Sequence, residues 1–325
     1  MNEFKGKVIL ITGGTGSFGK RLCRVLLEEL EPAKVIIYSR DEFKQYEMQQ
    51  QFSAYPNIRF FIGDVRDKKR LVMALRGVDY VVHAAALKQV PLMEYNPSEA
   101  VKTNILGAIN IIEASIECGV KKVIALSTDK ACNPINLYGA TKLCADKLFV
   151  AGNSYSGVGG TKFSVVRYGN VLGSRGSVVQ LFLKKKEEGL LPITDPRMTR
   201  FWITIDHAVR FVLKNFDRMI GGEIFVPKIP SMSILDLARA LVPNCRTKTT
   251  GIRPGEKLHE SIISIDDARS TVELDDCYVI EPAFYHSDEK KRYAGKRVPE
   301  NFVYSSDTNG RHMTANEVTE FIKQT

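Results

Sequence analysis

A phenol and an ammonium four residues apart are the first groups in this chain that could do chemistry together. Tyr138 and Lys142 fall on one face of a helix that the spacing predicts from about Tyr138 onward. A cation beside a phenol favours the phenolate and lowers its pKa from about 10, which would make Tyr138 a base near neutral pH. In a lysine-rich chain with 12 tyrosines, chance alone supplies one Tyr-x-x-x-Lys pair, so position has to lift it above chance. Just upstream stand Ser127, Thr128, Asp129 and Lys130, where the apolar run Lys122-Val123-Ile124-Ala125-Leu126 ends. A hydroxyl, a carboxyl and an amine at a strand end, next to a candidate base, supply a hydrogen-bond donor, an acid and a second base. The same four residues also read as an N-capping turn.

These groups need a frame. Lys7-Val8-Ile9-Leu10-Ile11-Thr12 is a continuous apolar run of the kind buried on both faces of a parallel sheet. The loop Gly13-Gly14-Thr15-Gly16-Ser17-Phe18-Gly19 follows, and then a helical pattern of Leu22, Val25, Leu26 and Leu30. Glycines 13, 16 and 19 between strand and helix allow a tight turn, close approach of backbone to a pyrophosphate, and close helix–strand packing. A dinucleotide is therefore expected, with Thr15, Ser17 and Phe18 beside it. The second strand, 34–38, ends in Ser39-Arg40, where an NAD-binding chain carries an acid for the ribose 2′-hydroxyl. A small residue there, with Arg40 next and Lys44 a turn later, favours a 2′-phosphate and hence NADP; Asp41 weighs the other way.

Strands over 58–63 and 79–86 bring Asp64 and Val65 toward the adenine and put Ala84, Ala85 and Ala86 under the cofactor, although three small residues also read as tight packing. Lys88 belongs to the pyrophosphate, to a substrate or to bare surface. A helical pattern over 97–119 buries Asn104, and a strand over 163–168 ends in Gly169-Asn170-Val171. The alternation predicts an α/β fold, a doubly wound parallel Rossmann-type sheet over 1–170 with ligands at the strands' carboxyl ends.

Beyond Val171 the rhythm changes. Three loops carry arginines: 173–177 with Arg175, 192–201 with Thr194, Arg197, Met198 and Arg200, and 252–257 with Arg253 and Glu256. They read as a lid over an anionic ligand such as a diphosphate, or as ordinary surface. A helix over 203–216 and a strand over 223–226 return the chain to the sheet. Residues 171–200 and 227–325 then form a smaller C-terminal substrate-binding lobe, with 201–226 going back to the first domain.

A chain of 325 residues, 44% hydrophobic, can bury a large core and predicts about two domains. No apolar run approaches the roughly 18 residues of a membrane span, and residues 1–7 are no secretory signal, so a soluble cytoplasmic protein without a membrane partner is expected. The net charge of +9 suits an anionic small molecule; no aromatic-basic array calls for nucleic acid. Six cysteines without ligand spacing read as core thiols, with no metal site.

With the glycine loop, Thr128-Asp129-Lys130, Tyr138-x-x-x-Lys142, Arg167-Tyr168-Gly169-Asn170-Val171 and Arg253-Pro254-Gly255-Glu256-Lys257 in place, the chain resembles the extended short-chain dehydrogenase/reductases nearly end to end. Within them it is most similar to the inverting, 5-epimerising UDP-N-acetylglucosamine 4,6-dehydratases of pseudaminic acid biosynthesis and flagellin glycosylation. Asp129-Lys130 carries that likeness, because retaining dehydratases have Asp-Glu after the threonine and 4-epimerases have neither pair.

The resemblance implies a homo-oligomeric lyase that holds a UDP-sugar under the second lobe and a tightly bound NADP reduced and reoxidised within each turnover. Oxidising C4 to a ketone makes the C5 hydrogen acidic enough to remove. In that scheme Tyr138 takes the O4 proton, Lys142 holds the nicotinamide ribose and Thr128 hydrogen-bonds O4. Neutral Lys130 removes the C5 proton and protonated Asp129 donates to the departing C6 hydroxyl. Those two roles need the lysine shifted down and the aspartate up, as burial would push both. The resemblance further puts Asn170 and Val171 on the sugar or its phosphate, Thr194, Met198 and Arg200 around the nucleotide, and Arg253 with Glu256 at the diphosphate and ribose. Oligomer contacts run through 97–119 and 138–154. The implied product is UDP-2-acetamido-2,6-dideoxy-beta-L-arabino-hex-4-ulose.

Rival readings inside the class are a retaining 4,6-dehydratase, a UDP-hexose 4-epimerase, and a multifunctional dehydratase feeding N-acetyl-L-fucosamine. From another class, a non-catalytic NADPH-binding module needs a degraded catalytic set, whereas Thr128, Asp129, Lys130, Tyr138 and Lys142 are all present.

Overall fold

The computed structural model describes residues 2–174, 176–283 and 293–323. The first half alternates strand and helix. Strands β1 (Val8–Thr12), β2 (Lys34–Ser39), β3 (Ile58–Ile62), β4 (Tyr80–His83), β5 (Lys122–Thr128) and β6 (Lys162–Tyr168) are separated by helices α1 (Ser17–Glu29), α2 (Glu42–Gln51), α3 (Lys68–Leu75), α4 (Val90–Tyr95), α5 (Pro97–Val101), α6 (Gly107–Glu117) and α7 (Leu137–Ser156). Then come β7 (Asn170–Val171), α8 (Val178–Lys184), β8 (Leu190–Ile193), β9 (Thr199–Ile203), α9 (Ile205–Arg218), β10 (Ile224–Pro227), β11 (Ser231–Ser233) and α10 (Ile234–Leu241). The last strands are β12 (Arg246–Thr249), β13 (Ser261–Ile263), β14 (Thr271–Glu273), β15 (Cys277–Ile280), β16 (Lys296–Arg297) and β17 (Tyr304–Ser305).

Ten strands make one sheet in the order β16-β14-β15-β10-β6-β5-β4-β1-β2-β3. From β3 to β10 every pairing is parallel, as the apolar runs predict: Ile9, Leu10 and Ile11 of β1 are fully buried because helices cover both faces. Strand order reverses direction at β1, between β2 and β4, and the crevice this leaves at the carboxyl ends is where a doubly wound sheet takes its ligand.

Three elements differ from the expected pattern. Residues 271–297, read from the sequence as part of the smaller lobe, contribute β14, β15 and β16 to the large sheet in antiparallel register. Runs of two to four residues are too short to show a period of two. Residues 192–201, read as a loop, contain the end of β8 and the start of β9, which pairs with β7 and β11. The 97–119 helix is broken by a π turn at Lys102–Leu106, which turns Asn104 inward. There its side-chain amide accepts from Leu87 N–H at 2.8 Å and donates to the Leu87 carbonyl at 2.9 Å and to Thr141 Oγ1 at 3.0 Å. A second core, with Leu172, Phe182, Leu191, Trp202 and Leu237, lies under α8 and α10. No helix among the described residues is long and apolar enough to cross a membrane.

Candidate active site

A cleft of about 630 Å³ opens along the carboxyl ends of β1, β4, β5 and β6. Gly13 turns the chain out of β1 at φ +64°, and a Cβ there would stand 2.9 Å from the Ala85 backbone. At Gly19 a Cβ would lie 2.5 Å from Gly14 Cα, so α1 packs directly against the loop. Thr12 Oγ1 is bonded to His83 Nδ1 at 2.8 Å and accepts from the N–H groups of Ala84 and Ala85 at 3.1 and 3.2 Å, which fixes the cleft floor. Gly16, Ser17, Phe18, Ser39, Arg40, Asp64, Val65, Ala86 and Lys88 complete this half of the lining. Thr15 and Lys44 do not reach it. Thr15 Oγ1 bonds Ser39 Oγ at 3.1 Å, and Lys44 is held 2.5 Å from the Asp41 carboxylate that caps α2.

On the other half, β5 delivers Ser127 and Thr128 to the cleft, and a single 3-10 turn, Asp129–Ala131, follows. Thr128 does cap that turn: its Oγ1 accepts from Lys130 N–H and donates to Asp129 Oδ1 at 2.8 Å. Lys130 Nζ donates to Asp129 Oδ1 at 3.0 Å and to Asn170 Oδ1 at 3.3 Å, bridging β5 to β7. Asp129 is fully buried, and its Oδ2 has no hydrogen-bond partner. Asn136 caps α7 by accepting from Gly139 N–H at 2.8 Å, which aims Tyr138 and Lys142 into the cleft.

Turn and helix touch at Gly139, where an added Cβ would stand 2.1 Å from the Lys130 carbonyl oxygen. Gly139→Ala is therefore expected to push α7 off the turn and cost about 1–3 kcal/mol of stability, with a larger loss of activity than of melting temperature. Thermal denaturation with steady-state rates on one sample checks the split; an unchanged rate would mean the two elements need not touch.

The electrostatics correct two expectations. Burial lifts the Tyr138 phenol to about 12; Lys130 and the Thr128 hydroxyl pull against it. Lys142 is itself held below its ordinary value by burial, with Asp146 opposing. Lys130 moves up rather than down: burial acts to lower it, but the Asp129 and Glu260 carboxylates outweigh that.

Asn170 and Val171 line the cleft, but Thr194, Met198, Arg200, Arg253 and Glu256 do not. Arg200 is buried and spends its guanidinium on the carbonyls of Thr199, Lys257 and Leu258, at 2.7, 2.8 and 2.9 Å. Met198 belongs to the second core, and Arg253 is exposed 3.7 Å from Glu256. Arg175 lies outside the described residues. Sequence reasoning missed Thr103, Ser177 and Trp202, which line the cleft with a buried Oγ1, Oγ and Nε1 that have no hydrogen-bond partner among the described residues. It also missed a buried network behind Lys142, in which Asp146 Oδ2 accepts from Ser127 Oγ at 2.8 Å and from Arg167 at 3.2 Å. Among the described residues no His, Cys, Asp and Glu side chains are gathered to hold a metal.

A family model described as polysaccharide biosynthesis protein matches residues 9–282. The chain belongs to this family. Among polysaccharide biosynthesis proteins it is 58% identical to the inverting UDP-N-acetylglucosamine 4,6-dehydratase of Campylobacter jejuni, over 99% of each chain. A UDP-glucose 4-epimerase of Rickettsia canadensis is 44% identical over 85% of this chain and 83% of that one. The X-ray structure of Pen from Bacillus thuringiensis superposes with a TM-score of 0.90 at 37% identity, covering 100% of both chains. DesIV, a dTDP-glucose 4,6-dehydratase from Streptomyces venezuelae solved with NAD and TYD, gives a TM-score of 0.69 at 23% identity over 77% of this chain and 86% of that one, a likeness of fold.

Proposed function

We propose that this chain dehydrates UDP-N-acetylglucosamine to the UDP-4-keto-6-deoxy sugar with inverted C5. The observation that carries the reading is the Asp129–Lys130 pair, 3.0 Å apart, on the turn that shares a cleft with Tyr138. The glycine loop, Lys142 on the cleft wall and the orphaned polar atoms of the cleft fit a nicotinamide dinucleotide and a sugar nucleotide. Such a cofactor, bound there, supplies the oxidation at C4 and the reduction at C6.

The residues divide the remaining work. Tyr138 takes the O4 proton, and its ionisation depends on the positive charge that Lys130 already places near it. Asp129 and Lys130 need one rearrangement: a proton moved from Nζ to Oδ1 along their hydrogen bond turns the ion pair into a neutral acid and a neutral amine without exchange with solvent. Lys130 then removes the C5 proton while Asp129 protonates the departing C6 hydroxyl, which leaves as water. The pair is thereby returned to its ion-paired form; once C6 has been reduced, C5 takes a solvent proton on the opposite face and Tyr138 gives up the O4 proton to solvent, which closes the cycle.

NADP is the proposed cofactor. No acid faces the cleft from the end of β2, because Asp41 is occupied as a helix cap and by Lys44, while Arg40 lines the cleft. Since Arg40 is 57% exposed, Arg40→Ala is expected to weaken NADP binding only about tenfold and to leave NAD binding nearly unchanged, as fluorescence titration would read. Equal losses for both would remove the 2′-phosphate from the account. Apolar side chains exposed on the helical layer, Leu92, Tyr95, Leu106 and Tyr155, suit a homo-oligomer, and the C5-inverted product suits pseudaminic acid synthesis in the cytoplasm.

The deciding experiment incubates the protein with UDP-N-acetylglucosamine in deuterated water and follows the product by NMR. Expected are a C6 methyl group, deuterium at C5 and the L-arabino configuration. A C4 epimer with no water lost and no deuterium at C5 would make it an epimerase; a retained C5 would make it a retaining dehydratase.

A further inference from the structure

Behind the Asp129–Lys130 pair stands a third carboxylate. Glu260 arrives just ahead of β13, from the far end of the chain, and is 2% exposed. Its backbone is clamped on both sides: its N–H donates to Ser306 Oγ at 3.0 Å, and its carbonyl accepts from Ser306 N–H at 2.8 Å. The carboxylate is left without a hydrogen bond at Oε2, yet Oε1 lies 3.7 Å from Lys130 Nζ and Oε2 lies 3.5 Å from Lys257 Nζ. Lys257 in turn donates to the Cys132 carbonyl at 2.6 Å, holding the end of the catalytic turn. Glu260 does not line the cleft, and its carboxylate reaches that space through Lys130.

We propose that Glu260 is a positioning residue for the elimination step, acting through Lys130: it fixes where that ammonium sits and how firmly it keeps its proton. The inference rests on the proposed dehydratase chemistry. A buried carboxylate with two lysines just beyond hydrogen-bond reach costs desolvation and returns little packing, so its charge is the property with a use. The groups that face Lys130 are Asp129 on its own turn, Glu260, Arg200 on β9, Tyr138 on α7, and Lys88 after β4. Of these, Asp129 and Glu260 hold the ammonium and Arg200 opposes them.

The consequence is readable in a pH profile. The pair shares one proton, and elimination runs wherever that proton is present, since moving it within the pair makes the acid and the base; ionisation of Tyr138 sets the acid limb of turnover. The alkaline edge is the loss of the pair's last proton. Negative charge at Glu260 favours keeping it and so places the edge at higher pH. Glu260→Gln is expected to bring the alkaline edge of kcat down by about one pH unit or more, with KM unchanged. At a pH above both edges this variant turns over about tenfold slower than the unaltered chain. Glu260→Asp keeps the charge and should return the edge toward its original place.

Should Glu260→Gln fail to fold, Lys257→Gln tests the same claim with the opposite sign. Removing its other counter-ion leaves the Glu260 charge to Lys130 alone, so the edge rises. The assay uses the full-length holoenzyme with UDP-N-acetylglucosamine, and the unaltered chain is measured first. No dehydrated product from that chain overturns the proposed function. Turnover with an edge that does not move in the variants, or that moves the same way in both, overturns the role of Glu260 alone.

Discussion

Mixed with UDP-N-acetylglucosamine, the Lys130→Ala variant is expected to reduce its bound nicotinamide and stop there. In the proposed scheme oxidation at C4 uses Tyr138 and Lys142 on α7 and Thr128 at the end of β5, none of which the substitution removes. Elimination loses its base, and a positioned base contributes roughly 10²- to 10⁴-fold. Asp129 keeps the Thr128 hydroxyl at 2.8 Å, so the turn retains one of its internal bonds. The first step should also slow at neutral pH. Lys130 is the leading cation that draws the Tyr138 phenol down, and without it the phenol titrates higher, so C4 oxidation in the variant should recover as pH rises. Nicotinamide absorbance follows the first step and NMR the second. Full turnover in the variant would take Lys130 out of the mechanism.

The second large effect is on stability. Arg167 is 2% exposed at the end of β6 and donates to Asp146 at 3.2 Å, to the Ile262 carbonyl at 3.0 Å and to Asp267 at 3.4 Å. It ties the sheet, the catalytic helix and the segment around β13 together. Arg167→Ala leaves Asp146 buried with Ser127 as its hydrogen-bond donor and Lys142 as its remaining nearby cation, which is expected to cost about 3–5 kcal/mol and to lower Tm by roughly 10 °C. A double change, Arg167→Met with Asp146→Leu, should recover part of that loss because the Asp146 carboxylate is no longer stranded, although Lys142 then loses its counter-charge. Thermal denaturation of the three variants measures it. A single variant within about 1 kcal/mol of the original would show that water answers the carboxylate instead.

What could be read from the sequence was local. The glycine loop, the apolar strands and the spacing of Thr128, Asp129, Lys130, Tyr138 and Lys142 each fit within one strand-turn-helix unit, so neighbours in sequence are neighbours in the cleft. The upward shift of Lys130 was only half legible: Asp129, the stronger of the two carboxylates that oppose burial, is its neighbour in sequence, but Glu260 lies 130 positions away. Asp146 left a trace that could have been followed: it sits four residues after Lys142, on the same helical face. Arg200 shows the limit of residue type as a guide, since an arginine read as facing a nucleotide has its guanidinium on main-chain carbonyls. The π turn at Lys102–Leu106 leaves no periodic mark; only its inward Asn104 could be anticipated.

The placement of β14, β15 and β16 beside β10 bears on how such enzymes could diversify. The segment that leads into these strands carries Lys257 and Glu260, which grip the catalytic turn, and the strands anchor it to the large sheet. On the role proposed for Glu260, a chimera that imported this half from a cousin would import a new proton affinity for Lys130 with it. Recombination at this seam would retune the turn even where every residue of the cleft lining is kept.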